Sequence, residues 1–224
     1  QFNSAVTDIF RNEYLSPRSP YTTLQIPKQG IGEWCHPLHT VDIDDSGFRS
    51  SVQKGVLNTK LGVPFRTPAE GQNIAFTSLW DNYPDSLTVS LKGKASRAYL
   101  LMAGSTNHMQ CHIDNGLIRV YYKDGTCDKM ALRNPDNWAP IEHIFFEDGL
   151  AFNRHAPALY RLRLKTGEIS NNFGEELGFP GASRELDGGA AILLEMPLNP
   201  DKKLSHLVLE TLSNDVVIGL MGIT

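Results

Sequence analysis

The amino-acid sequence predicts an all-β domain, a sandwich of two antiparallel sheets with long loops. Three observations carry that prediction. Short runs of β-branched, aromatic and aliphatic residues recur along the chain, divided by Gly, Asn, Asp and Pro. Sustained helical periodicity is nearly absent. The runs number about ten, enough to need two packed layers.

Taken in order, residues 1–20, ending in "SPRSP", read as an extended connector from an upstream region, because Pro disfavours helix in the residue before it. Residues 21–224 are then the sandwich domain. The first clear strand is "NIAFTSLW" (73–80). "LWDNYPD" (79–85) ends it, with Trp80 inward and Asp81, Asn82 and Tyr83 shaping a turn. "SLTVSLK" (86–92) alternates, with Leu87, Val89 and Leu91 on one face and Ser86, Thr88, Ser90 and Lys92 on the other. "RAYLLMAG" (97–104) follows. In 107–133, Asn115-Gly116 and Asp124-Gly125 supply residues that accept positive φ, which predicts a three-stranded meander. "ALYRLRL" (158–164), "AAILLEM" (190–196), "LSHLVLETL" (204–212) and "DVVIGLMGI" (215–223) complete the strands. Two long irregular stretches intervene, 134–143 running on through "FNRHAP", and 168–189; loops of that length are often functional.

Composition narrows the function. The chain has 224 residues, 41% hydrophobic and 21% charged, and no run approaches the ~20 apolar residues of a membrane span. A net charge of −4 offers no basic face for nucleic acid, which is bound through clustered Lys and Arg. The three cysteines, Cys35, Cys111 and Cys127, allow at most one disulfide, and none is expected. The chain opens on Gln1, so any export signal is expected further upstream.

Catalytic motifs are missing. There is no G-x-S-x-G, Walker loop or G-x-G-x-x-G, which argues against acyl transfer and nucleotide chemistry. "CHPLH" (Cys35, His36, His39) and "HMQCH" (His108, Cys111, His112) resemble metal clusters. A proline interrupts the first, however, and strand alternation would split the second, so no metal and no cofactor is expected. No catalytic residue is assigned. The candidate ligand-binding residues are the aromatics at strand ends and in loops, with their polar neighbours: Glu33, Trp34 and His36; Asp81, Asn82 and Tyr83; and Trp138. An indole can stack on a sugar ring while amides and carboxylates take its hydroxyls.

As a set, these residues are familiar. The order "GVPFRTPAEGQNIAFTSLWDNYPDSLTVSLKGKASRAYLLMAGST", "GLIRVYYKDGTCDKMAL", "NPDNWAPIEH" resembles the jelly-roll accessory domains of polysaccharide-degrading glycoside hydrolases. The motifs are Val63 to Phe65, Ser86 to Leu91, Lys94 to Met102 and Val120 to Thr126. With "NEYLSPRSPYTTLQIPKQGIGEWCHP" and the terminal "NDVVIGLMGIT", the whole chain is similar to the C-terminal β-sandwich domain of an uncharacterised Bacteroidetes family of predicted glycoside hydrolases. The resemblance implies a jelly-roll-like sandwich in a periplasmic or extracellular enzyme, with the acid pair in a separate upstream catalytic domain. The implied role is non-catalytic, binding glycan weakly or supporting that domain. The alternative is a catalytic sandwich, a glycosidase or polysaccharide lyase working through Glu33, Asp81 and His36.

Overall fold

The structure, a computed structural model, describes residues 1–9, 42–79, 83–106, 110–143, 153–173, 186–214 and 216–224. Over them the chain is all-β with antiparallel sheets, one 3-10 turn (Val6–Asp8) and one short α-helix, α1 (Ser46–Ser50). A six-stranded sheet runs β10 (Ile169–Ser170), β9 (Tyr160–Arg163), β11 (Ala190–Pro197), β6 (Arg97–Thr106), β13 (Val216–Ile223), β4 (Ala75–Ser78). A four-stranded sheet runs β5 (Ser86–Ser90), β12 (Leu204–Thr211), β7 (Gly116–Tyr122), β8 (Cys127–Leu132). A third, small sheet is formed by β1 (Val52–Gln53), β2 (Val56–Asn58) and β3 (Pro64–Arg66).

The six-stranded sheet is a middle layer, covered on both faces. Successive side chains point to opposite sides of a strand, so β6 sends Leu100 and Met102 to one core and Leu101 and Ala103 to the other. On β13, Ile218 and Leu220 go one way and Val217 and Met221 the other. The first core is closed by Ile118, Val120, Leu207 and Leu209 of the four-stranded sheet, making the sandwich. The second is closed by Phe48 of α1, Leu57 and Phe65 of the small sheet, and Val6 and Ile9 near the chain start. Strands covered on both faces are apolar throughout. That is why "AYLLMAG" and "VVIGLMGI" lack the alternation seen in β5, whose residues are exposed and half-buried in turn.

Three expectations change. The sandwich has a further layer beyond the two sheets expected. Residues 1–9 are no extended connector: Val6 and Ile9 are fully buried, and the Asn3 amide bonds both the backbone N–H and C=O of Phe76 at 2.8 and 2.9 Å. Residues 10–20 lie outside the described residues. The meander has two strands, because Asn115 is not a turn residue. Its buried amide nitrogen donates to the carbonyls of Gln110 (3.0 Å) and Ile113 (3.1 Å), locking 110–115 into a loop that carries the chain from one sheet to the other. The neighbour of β7 is instead β12. The Asp124-Gly125 turn forms as expected, with Gly125 at φ +84° and Asp124 Oδ1 accepting from the Thr126 N–H and hydroxyl.

Candidate functional site

The outward face of the four-stranded sheet gathers polar and aromatic side chains in cross-strand rows. Register sets the rows. His206 of β12 lies between Ser90 of β5 and Tyr121 of β7; Val208 lies between Thr88 and Arg119; Glu210 lies between Ser86 and Leu117. Their inward neighbours, Leu207 and Leu209, are fully buried, which fixes these positions on the solvent side.

The Tyr121 and His206 rings stack across the two strands, centroids 4.7 Å apart and planes 13° from parallel. A register irregularity between Leu204 and His206 precedes the stack, and His206 Nδ1 is 3.1 Å from the Ser205 hydroxyl. One row further on, Arg119 and Glu210 form an ion pair, and the hydrogen bond from Arg119 raises its affinity for its proton. The edge strand β5 carries only short hydroxyl side chains on this face, Ser86, Thr88 and Ser90, all exposed. The surface is therefore stepped: an aromatic wall, a fixed pair of charges, and a low ledge of hydroxyls open to one side.

Beside that ledge, at the β5 edge, a cleft of about 580 Å³ opens toward β4 and β13, walled by Phe2, Ala75, Leu87, Val89, Leu220 and Ile223. Thr67 also lines it, and its buried hydroxyl oxygen has no hydrogen-bond partner. Thr88 of the ledge is also among the residues that line the cleft.

Of the residues expected to bind ligand, Glu33, Trp34, His36, Asp81 and Asn82 lie outside the described residues. Tyr83 is half-buried, its ring 5.1 Å from that of Phe76 and its hydroxyl 3.5 Å from Ser4 Oγ. In "LWDNYPD", Trp80, Asp81 and Asn82 lie outside the described residues; flanking them, the Ser78 N–H donates to the Pro84 carbonyl at 3.0 Å. Trp138 is a correction: at 0% exposure it belongs to the core between the two large sheets and offers no face to a sugar. Gly104 makes room for it. A Cβ there would lie 2.6 Å from the indole and 2.1 Å from the Val217 carbonyl oxygen.

The loop end of the sandwich holds two further polar groupings. Glu142, on the 134–143 stretch, is fully buried and takes a hydrogen bond from Ser105 Oγ at 3.1 Å. Desolvation pushes its carboxyl up to about 7. Arg161 of β9, also buried, donates to the carbonyls of Pro140 (2.8 Å), Ala190 (3.0 Å) and His143, pinning this stretch to the sheet. Burial lowers Arg161 to about 10, and the nearby Glu142 charge opposes that shift. Nearby, His112, Asp136 and His155 converge, with a potential ligand atom of each within 4.8 Å of the others. His112 and Asp136 come from 107–133 and 134–143; His155 comes from "FNRHAP". Cys111, paired with His112 in the sequence reading, instead accepts a hydrogen bond from Asn134 Nδ2 at 3.4 Å. Neither described cysteine, Cys111 or Cys127, is in a disulfide.

No protein-family model, curated protein or solved structure matches the chain.

Proposed function

We propose that the chain is a non-catalytic accessory domain of a carbohydrate-active enzyme, binding glycan weakly through the outward face of its four-stranded sheet. The observation that carries this reading is the step formed by the Tyr121–His206 stack above the Thr88 and Ser90 hydroxyls, with the Arg119–Glu210 pair alongside. Aromatic carbon surface takes the C–H face of a pyranose ring. Hydroxyl, guanidinium and carboxylate groups exchange hydrogen bonds with the hydroxyls of the sugar, and the Arg–Glu ion pair holds donor and acceptor at fixed positions. The ledge is open and shallow, so it suits an internal stretch of a chain rather than a buried sugar. Little of the ligand is enclosed, which favours affinity near 1 mM, about −4 kcal/mol.

The apolar cleft beside the ledge favours a supporting role as well. Its walls are mostly hydrocarbon, the surface that packs against a neighbouring catalytic domain of the same polypeptide. Both roles fit an exported protein, periplasmic or extracellular.

Affinity electrophoresis through gels cast with pectic, hemicellulosic and host-type polysaccharides tests the proposal. Retardation by at least one polysaccharide is expected, and it should weaken in Tyr121→Ala and His206→Ala. Turnover of any of these glycans by the chain alone would contradict a non-catalytic role. Unretarded migration in every gel would contradict glycan binding.

A further inference from the structure

We propose that His112, Asp136 and His155 form a binding site for a single borderline divalent cation, zinc by preference, at the loop end of the sandwich. The three residues come from separate stretches of chain, and the backbone pins two of them. The His112 N–H donates to the Asn134 carbonyl at 2.8 Å, and Cys111 and Asn134 pair as an isolated β-bridge. His112 itself sits at φ +56°, a left-handed conformation uncommon for a residue with a side chain and concentrated at functional positions. Asp136 Oδ1 accepts the backbone N–H of His155 at 2.6 Å, drawing the third stretch in.

The side chains then face one another. Nδ1 of His112 is 3.9 Å from Asp136 Oδ2, and Nδ1 of His155 is 3.9 Å from Asp136 Oδ1. The imidazole centroids are 4.7 Å apart. Ligand atoms around a tetrahedral zinc ion are about 3.4 Å apart, from bonds of ~2.1 Å. Closing from the observed spread needs a modest torsion of one side chain, and His155, 70% exposed, is free to make it. Arg133 feels the Asp136 charge, but its guanidinium is engaged by Asp114, Nε to Oδ1 at 2.5 Å.

Two imidazoles and one carboxylate select zinc, copper or nickel over calcium and magnesium, which prefer all-oxygen shells. Three protein ligands leave positions open for water or for hydroxyls of a ligand.

Calorimetric titration of the chain with ZnCl2 is the test. One ion per chain is expected, with affinity reduced at least about tenfold in His155→Ala and in Asp136→Asn, since loss even of an outer partner of a metal ligand costs 10–100-fold. His206→Ala, which removes a histidine from the far sheet face, should bind like the parent. Circular dichroism confirms folding of each variant, and His155→Ala keeps the test open should Asp136→Asn misfold. No saturable binding up to about 100 µM zinc, or binding unchanged in folded His155→Ala, would overturn the proposal.

Discussion

Glu142→Gln should make the chain more resistant to unfolding at alkaline pH and alter how stability varies with pH. In the folded protein the Glu142 carboxyl titrates near 7, against 4.5 for an unperturbed glutamate. Between those values the folded state holds a proton that the unfolded chain releases, so the proton count is higher when folded and stability falls as pH rises. Glu142 therefore contributes fully below about pH 4.5, and its contribution is lost as pH rises through 7. The shift of roughly 2.5 units is about 3 kcal/mol in all, of which about 2.5 kcal/mol is lost between pH 5 and pH 8. Glutamine keeps the shape and can still pair with Ser105 Oγ but does not ionise. Urea unfolding of parent and variant across that range, analysed as the difference between them, isolates the residue from every other titrating group. The variant should gain on the parent by about 2.5 kcal/mol from pH 5 to pH 8. Parallel curves would refute the reasoning, because they would mean that Glu142 ionises at its ordinary pH and is hydrated.

Other substitutions probe the same architecture. Arg161→Ala takes a donor from the Pro140, His143 and Ala190 carbonyls and leaves Glu142 without its nearby cation, so a loss of about 3–5 kcal/mol is expected in urea unfolding at neutral pH. Trp138→Ala opens a cavity in the core between the large sheets and should cost about 3–5 kcal/mol, while leaving any glycan retardation of the folded fraction unchanged.

How much of this is legible in the sequence follows from which interactions are local. Alternation in "SLTVSLK" gave β5, and Asp124-Gly125 gave the hairpin of β7 and β8, because period and turn chemistry reside within a few residues. Asn115-Gly116 carries the same turn signal, yet the Asn115 side chain is taken up by Gln110 and Ile113, so the loop crosses between sheets. Trp138 looked like a loop aromatic; its burial depends on Gly104, more than thirty positions earlier, being too small to exclude it. The stepped face was hidden for the same reason. Tyr121 and His206 are outward in their own strands on simple alternation, but only the pairing of β7 with β12 makes them neighbours. Likewise, "FNRHAP" was marked as a long irregular region, while its meeting with His112 and Asp136 is a tertiary event.

The most direct measurement of the central claim is an amide chemical-shift titration of the isotopically labelled chain with an oligosaccharide from a polysaccharide that retards it. Saturable shifts should cluster at Thr88, Ser90, Arg119, Tyr121, His206 and Glu210, with the inward-facing core unmoved. Shifts centred elsewhere, or none at millimolar sugar, would contradict the assignment of this sheet face as the glycan-binding surface.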